Sequence, residues 1–240
     1  MKVSSSQLVA VLGAGGPSGK LCVQQLLDVG ASVRAVVRSP ANYKGAFADD
    51  PALEIVKGDV TDRESLSAAL EGVTGIIFAA SSSTYFGAKS VENKGVVNVA
   101  SAASRTGAHV LLISTALVTP KNRWSPYRVL LNTVIRYNRA NEKFAGETAL
   151  RQSGVSYTIV RPSGLFDGPP GKAKLIVEQG DRVGLFPMIS RADVAAVCVA
   201  ALFNPKAKNV TFEVRSNSKV APGEADLGAL FDGLKTGVFD

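Results

Sequence analysis

The stretch Gln7-Leu8-Val9-Ala10-Val11-Leu12-Gly13-Ala14-Gly15-Gly16-Pro17-Ser18-Gly19 decides the fold. Its apolar first half is typical of a strand that is buried on both faces in a parallel sheet. Pro17 suits the first turn of a helix, because the backbone N–H at that position needs no intrahelical partner. Apolar residues then recur at helical spacing until Gly30 ends the pattern. The stretch therefore predicts a strand, a glycine-rich turn and a helix.

The glycines of this turn follow the spacing G-x-x-G-x-x-G, at positions 13, 16 and 19. A missing Cβ lets the backbone approach a pyrophosphate closely, and the free amides and positive dipole end of the helix favour the phosphate. A merely tight structural turn is the alternative. The turn predicts a dinucleotide phosphate site made of Gly13, Gly15, Gly16, Pro17, Ser18 and Gly19.

The end of the second predicted strand distinguishes the two nicotinamide coenzymes. An acidic side chain there binds the ribose hydroxyls of NAD, whereas a basic one pairs with the additional phosphate of NADP. The sequence reads Val36-Val37-Arg38-Ser39-Pro40, with no acid, and Lys44 could assist. Arg38 therefore predicts NADP(H) as the cofactor, with a solvated surface arginine as the alternative.

The strand and helix pattern continues along the chain and predicts an α/β fold. We expect a single Rossmann-fold domain with a doubly wound, mostly parallel sheet and helices on both faces. The predicted boundaries are an N-terminal extension (1–6), the NAD(P)-binding domain with a small C-terminal substrate-side region (7–215) and a C-terminal tail (216–240). After the first unit, strands are predicted at 32–37, 53–57, 74–79, 109–114, 155–160, 174–177 and 210–214. Helices are predicted at 62–70 (with a Thr61/Glu64 capping box), 90–106, 126–152, 193–203 and near 227–234, and 161–171 is predicted to be irregular.

Composition limits the classes of protein that this chain can be. The 240 residues are 46% hydrophobic, and the net charge of +7 arises from basic residues that are mixed with 20 acidic ones. This mixture argues weakly for an anionic ligand and against a dedicated nucleic-acid surface. No apolar run approaches the roughly 20 residues that span a bilayer, and residues 1–6 are too short for a signal peptide, so we expect a soluble protein. Cys22 and Cys198 lie in apolar helical patterns without metal-ligand spacing, which predicts buried thiols in a reducing compartment and no metal site.

Two further strand ends carry candidate coenzyme contacts. Asp59 and Val60 follow the third predicted strand, where a carboxylate can accept a hydrogen bond from the adenine amino group; a simple loop aspartate is the alternative. Ala79, Ala80 and Ser81 follow the fourth strand, and their small side chains would let the backbone run close to the cofactor ribose.

Several motifs in a fixed order give the chain a family resemblance. From about Gln7 to Val214 it resembles the atypical short-chain dehydrogenases/reductases, specifically the NAD(P)-binding NmrA-like group that includes biliverdin reductase B, flavin reductases and plastid proteins. Besides the glycine turn, the matching motifs are Val36-Val37-Arg38, Gly58-Asp59-Val60, Asn93/Gly95/Asn98, Leu112-Ile113-Ser114-Thr115, the run from Ser153 to Leu165, and the run from Ile189 to Ala195.

The resemblance implies catalytic positions and also a departure from them. Members with ordinary chemistry use a Tyr and a Lys four residues apart on one helix, with a Ser or Thr after the fifth strand. Lys143 matches the lysine that holds the nicotinamide ribose, but Arg139 stands where the tyrosine is expected. Tyr137 is six residues from Lys143 and so on another face of a helix. Ser114 is the better hydroxyl candidate, ahead of Thr115.

Alternatives remain for these residues. Lys143 could be an exposed lysine paired with Glu147, and Ser114 could simply satisfy a backbone group at a strand end. The resemblance also implies that Pro162, Ser163, Gly164 and Leu165 cover the nicotinamide end. Arg191 and Asp193 are expected to cap and pair at a helix start, and His109 is not expected to act as an acid or base.

Two functions fit this scaffold. The first is an NADPH-dependent reductase of a small planar or carbonyl-type acceptor, with water or Ser114 relaying the proton. The second is a non-catalytic NADP(H)-binding protein that docks to a protein complex as a redox sensor or scaffold, which the missing tyrosine favours. The basic residues Lys121, Arg123, Arg128, Arg136 and Arg139 could form the docking face, a solvated surface or an anionic substrate pocket. The resemblance suggests a plastid location; otherwise the cytoplasm is expected.

Overall fold

The computed structural model describes residues 7–43, 45, 50–135, 137–182, 188–220 and 227–239. An eight-stranded sheet forms the centre, in the order β3-β2-β1-β4-β5-β6-β10-β8. All neighbouring strands are parallel except β8, which pairs antiparallel with β10 at one edge. Strands β7 and β9 pair in parallel and form a separate two-stranded sheet. The strands are β1 (Leu8–Leu12), β2 (Ser32–Val37), β3 (Leu53–Lys57), β4 (Gly75–Phe78), β5 (His109–Ile113), β6 (Tyr157–Pro162), β7 (Gly164–Phe166), β8 (Lys174–Glu178), β9 (Met188–Ser190) and β10 (Val210–Asn217).

Helices cover both faces of the sheet, as the apolar strands require. One face packs against α1 (Pro17–Asp28) and α6 (Arg191–Leu202). The other packs against α2 (Arg63–Ala69), α3 (Val96–Thr106) and α5 (Arg139–Gln152). The single-domain, doubly wound α/β fold expected from the sequence is confirmed. The strand order reverses between β1 and β4, and ligands bind outside the carboxyl ends of the strands at such a point.

Several local expectations were wrong. The N-cap of α2 is Asp62, whose carboxylate accepts from the N–H groups of Glu64 and Ser65, so there is no Thr61/Glu64 capping box. The predicted helix 126–152 is divided into α4 (Pro126–Leu130), a π-helical turn (Leu131–Ile135) and α5, because Asn138 adopts a left-handed conformation with φ +57°.

The region expected to be irregular, 161–171, is partly regular. Its first residues continue β6 as far as Pro162, and its centre forms β7. The strand predicted at 155–160 is therefore shifted towards the C-terminus by two residues.

The C-terminal segment packs on the sheet. Within the predicted tail, β10 continues to Asn217, and Phe231 is fully buried against Phe212. Arg161 donates to the carbonyl of Phe239 at 2.7 Å, and Gln179 donates to the carbonyl of Lys235 at 2.9 Å. These contacts join residues 227–239 to the core of the domain.

Candidate functional site

The glycine turn between β1 and α1 makes a close approach to the end of β4. Gly13 has φ +77°, and a Cβ added to it would lie 2.6 Å from the Cα of Ala80. A Cβ on Gly19 would lie 2.2 Å from the carbonyl oxygen of Gly13. Both positions therefore exclude any side chain, and the backbone forms a tight cradle at the carboxyl edge of the sheet.

The helix that follows the turn offers backbone donors. Gly16 is the N-cap of α1 in an extended conformation, and no side chain of the described residues caps the helix. The first amides of a helix have no intrahelical acceptor, and Pro17 at the first turn removes one of them. The α1 N-terminus, with Ser18 half-buried, can therefore hold a phosphate. The ring of Tyr43 lies against Gly15, where an added Cβ would fall 2.1 Å from it.

The ends of β2 and β3 lie beside this turn in the sheet. Arg38 is exposed directly after β2, and no described residue forms a salt bridge with it. The Asp59 carboxylate accepts from the N–H and the hydroxyl of Thr61, each at 2.8 Å. The carbonyl of Val60 accepts from Asn98 at 3.0 Å. Lys44, the expected assistant of Arg38, lies outside the described residues.

The end of β4 carries a charged cluster. Ala79 and Ala80 are half-buried, and Ser81 donates from its hydroxyl to the buried carboxylate of Glu92 at 3.0 Å. Arg139 donates to the Ser81 hydroxyl, and its Nε lies 3.5 Å from Glu92 Oε1. The sequence patterns did not indicate Glu92, because a glutamate in a helical segment is usually solvated.

Lys143 is a buried cation on α5. Its Nζ donates to the carbonyl of Ile113 at 3.3 Å, at the end of β5. Burial lowers the pKa of Lys143 to about 8; Glu92 opposes this shift, Arg139 adds to it and Glu147 opposes it. An exposed lysine that pairs with Glu147 is therefore excluded as the alternative.

Ser114 joins a buried ionic network. Its hydroxyl donates to Glu147 Oε1 at 2.5 Å. Glu147 also forms salt bridges with Arg161 at 2.7 Å and with Arg151 at 3.1 Å. Arg161 is fully buried and bonds Glu213 at 3.0 Å on its other side. Burial alone would lower the pKa of Arg161, but its carboxylate partners raise it. The network fixes Ser114 at the end of β5, and sequence reasoning missed it because its members lie in four separate parts of the chain: after β5, on α5, on β6 and on β10.

Residues 162–165 follow β6 at the same edge. Pro162 and Ser163 are buried, and the Ser163 N–H donates to Val214 O at 3.0 Å. Ser163 Oγ is buried and has no hydrogen-bond partner among the described residues. A buried hydroxyl normally has a hydrogen-bond partner, so Ser163 Oγ, unpaired in the described part of the chain, indicates a binding site for a ligand with polar groups. Gly164 and Leu165 are half-buried beside it in β7.

Other candidate residues lie elsewhere or have structural roles. Tyr137 precedes α5 and packs with Tyr85 and Phe86, away from Lys143. Ser190 is the N-cap of α6 and accepts from the N–H of Asp193, whose carboxylate accepts from the Ser190 hydroxyl in turn; Asp193 therefore pairs at the helix start, as expected, but does not cap the helix. His109, at the amino end of β5, contacts Ser156 and Thr158, and burial lowers its pKa to about 4.

The described basic residues between 121 and 139 do not form one charged face. Arg128 is buried and donates to the carbonyl of Thr119, Lys121 donates to the carbonyl of Gly180, and Arg139 lies in the cluster after β4. Arg123 is exposed, and Arg136 lies outside the described residues.

The described residues fit a dinucleotide. The glycine cradle admits a pyrophosphate against the amides of α1, and the orphaned Ser163 hydroxyl lies where the resemblance places the nicotinamide. The remaining candidates from Arg38 to Ser114 follow β2, β3, β4 and β5 at the same edge of the sheet, and Lys143 on α5 reaches this edge at the end of β5. No helix of the described chain is long and apolar enough to cross a membrane.

Comparisons with known proteins agree with this geometry. A family described as NAD(P)H-binding matches residues 13–205. An uncharacterised chloroplastic protein of Arabidopsis thaliana is 32% identical over 86% of this chain and 75% of its own length. Sanguinarine reductase of Eschscholzia californica is 28% identical over 98% of this chain and 99% of its own.

Two further matches are a photosystem assembly factor and a solved structure with a similar fold. A photosystem II assembly factor of Trieres chinensis is 27% identical over 84% of this chain and 61% of its own. The crystal structure of an oxidoreductase from Lactococcus lactis superposes with a TM-score of 0.79 at 16% identity, covering 94% of this chain and 95% of that one, which shows a shared fold. Since the family match spans most of the sequence, this chain belongs to the NAD(P)H-binding family.

Proposed function

We propose that the protein is an NADPH-dependent reductase of a small planar or carbonyl-type acceptor. One observation carries the proposal: buried Lys143, the Ser114 hydroxyl and the orphaned Ser163 hydroxyl all lie where β5 and β6 end. These strands neighbour the glycine cradle across β4 in the sheet. The reductase named among the relatives, which matches nearly the whole chain, supports the same reaction class.

The coenzyme contacts follow from the order of the strand ends. The turn at 13–19 holds the diphosphate, and Arg38 pairs with the additional phosphate of NADP because no acid occupies the end of β2. Asp59 and Val60 border the adenine, and residues 79–81 border the ribose. Lys143 and residues 162–165 hold the nicotinamide end.

The nicotinamide supplies a hydride to the acceptor when it is bound. Lys143 Nζ, held at the carbonyl of Ile113, would hold the nicotinamide ribose by hydrogen bonds to its hydroxyls, and residues 162–165 would border the nicotinamide ring. The Ser114 hydroxyl donates its hydrogen bond to Glu147, so its oxygen is left able to accept a hydrogen bond. The proton that completes the reduction comes from water, either directly or relayed through the Ser114 hydroxyl, which takes a proton from water as it passes its own proton on.

Turnover of the purified protein tests this function. The absorbance of NADPH is followed with flavins, quinones and carbonyl acceptors, and we expect oxidation that Lys143→Met and Ser114→Ala strongly reduce. Lys208→Met is the matched control, because Lys208 is exposed near the opposite edge of the sheet, and it should leave the rate unchanged. Equal rates in all three variants would contradict the proposed site.

A second candidate is a non-catalytic NADP(H)-binding protein that docks to a protein complex. It is supported by Arg139 at the tyrosine position and by large exposed apolar side chains, Phe86 at 75%, Trp124 at 80% and Val134 at 68% exposure. The photosystem II assembly factor among the relatives points the same way. Tight NADPH binding without turnover of any tested acceptor supports this candidate over the reductase.

We further propose that the protein works in a plastid. The chloroplastic Arabidopsis relative and the photosystem II assembly factor support this location. Immunoblotting of purified plastids against the cytosolic fraction tests it, and a signal confined to the cytosol would contradict it.

A further inference from the structure

Arg139 lies inside the candidate site. It begins α5 four residues before Lys143, so both side chains leave the same face of the helix. Arg139 donates to the hydroxyl of Ser81, which directly follows the end of β4. Its side chain is 19% exposed, so it is mostly sheltered but partly open to solvent.

Glu92 fixes this guanidinium in place. Its side chain is 1% exposed, and its Oε1 accepts from the Ser81 hydroxyl at 3.0 Å and the Ser82 N–H at 3.2 Å, with Arg139 Nε at 3.5 Å. Its Oε2 is buried and has no hydrogen-bond partner among the described residues. A buried carboxylate that loses its cation is strongly destabilised. Arg139 is therefore held beside Ser81 as a fixed positive charge.

This charge changes what the site can do. A guanidinium stays protonated at physiological pH, so it cannot supply a proton as a tyrosine phenol does. It stands one helical turn from a second cation, Lys143, and each destabilises the charge on the other. Glu92 partly offsets this repulsion, since it pairs with Arg139 and also favours the charged form of Lys143, whereas Glu147 is shared by Arg161 and Arg151. An anion that enters beside these two cations relieves their repulsion.

We propose that Arg139, held by Glu92, is the anion-recognition residue of the acceptor site, so that the acceptor binds with a carboxylate directed at Arg139 and Lys143. The inference rests on the proposed reductase function and narrows its acceptors to planar molecules that carry a carboxylate. Ser81 and Glu92 act as positioning residues for the guanidinium.

A pair of probes that differ in charge tests the proposal. Cinnamate and cinnamamide are both planar, and their affinities are measured by calorimetry on the protein with and without NADP⁺. We expect cinnamate to bind at least about tenfold more tightly than cinnamamide, as a charge-assisted contact provides. The preference should persist with NADP⁺ bound, which separates it from binding at the coenzyme phosphate site. Equal affinities would overturn the proposal.

Variants locate the effect. Arg139→Gln should abolish the preference for cinnamate, and Arg139→Lys should retain part of it. Arg123→Gln is the matched control, because this exposed arginine stacks on Trp124 outside the site and should leave the preference intact. A preference that survives in Arg139→Gln would contradict the assignment.

A second readout does not depend on activity or on the variants. With isotope-labelled lysine, NMR should show that cinnamate raises the pKa of Lys143 in the wild-type protein, because a bound carboxylate stabilises its charge. An unchanged Lys143 pKa under saturating cinnamate would overturn the proposal even if Arg139→Gln failed to fold. Failure to bind NADPH would remove the proposed function, while the comparison on coenzyme-free protein would still decide the role of Arg139.

Discussion

At the scale of single residues, burial decides which charges can work in the site. Lys143 and Glu147 lie on the same helix. Glu147 accepts hydrogen bonds from Ser114, Arg151 and Arg161, whereas Lys143 Nζ donates to a carbonyl at the end of β5. The buried lysine is close to its titration point at neutral pH, since its pKa is about 8. Its charge is therefore sensitive to pH in a range where ordinary lysines remain protonated.

This titration predicts a pH-dependent coenzyme affinity. In the proposed site the charged Nζ donates to the ribose, so NADPH should bind more weakly as the pH rises from about 7 to about 9, through the lowered pKa. Fluorescence titration of NADPH at several pH values measures the effect, and Lys143→Met should remove this part of the pH dependence. The same slope in wild type and variant would show that another group is responsible.

The sequence indicated the site residues unequally. The family resemblance identified Lys143 as the helical lysine that holds the nicotinamide ribose, but its burial could not be predicted. Burial depends on which elements pack around α5, and the sequence pattern of one helix does not contain that information. For the same reason the Glu147–Arg161 pair and the Glu92–Arg139 pair were not predicted, because each joins separate elements.

At the scale of elements, the site depends on a close contact between α5 and the π-helical turn at Lys89–Gly95. A Cβ added to Gly146 would lie 2.1 Å from the carbonyl oxygen of Glu92. The backbone of Glu92 can approach α5 this closely because position 146 has no side chain. The contact sets where the Glu92 carboxylate meets Arg139.

We expect Gly146→Ala to destabilise the protein by about 1–3 kcal/mol through overpacking. Helix propensity alone would have the opposite sign, since alanine in a helix interior is favoured over glycine by roughly 1 kcal/mol. Urea unfolding measures the change in the free energy of unfolding. A more stable Gly146→Ala protein would mean that α5 and the π-helical turn do not touch at this point.

The order of elements was largely predictable, whereas their interruptions were not. The alternation of apolar strands and helical patterns predicted β1 to β5 and the helices α1, α2 and α3 between them. The break before α5 requires a positive φ at Asn138. Asparagine tolerates this conformation, but the neighbouring sequence does not predict it. The pairing of β7 with β9 links segments that are distant in sequence, and each is only three residues long.

At the scale of the whole molecule, one ionic network ties the site to the C-terminal segment. Arg161 on β6 joins Glu147 on α5, Glu213 on β10 and the carbonyl of Phe239. Burial raises the pKa of Glu213 to about 7; Arg161 opposes the shift and Asp181 adds to it. The folded protein therefore holds a proton on Glu213 over a pH range in which an unfolded glutamate has already released it.

This proton links stability to pH. Because the pKa of Glu213 is higher in the folded state, its stabilising contribution is complete below about pH 4.5 and is lost as the pH rises to about 7. Glu213→Gln cannot titrate, so its melting temperature should fall less than that of the wild type between about pH 5 and pH 8. Parallel melting curves for the two proteins across this range would contradict the assignment.

Coenzyme binding by the whole molecule is the claim on which the account depends, and calorimetric titration of the folded protein with NADPH and NADH tests it most directly. We predict that NADPH binds at least about tenfold more tightly than NADH, since a guanidinium–phosphate contact is worth roughly 1.5–3 kcal/mol, and that Arg38→Ala removes this difference. Absence of binding by either coenzyme, or equal affinities in the wild-type protein, would contradict the account.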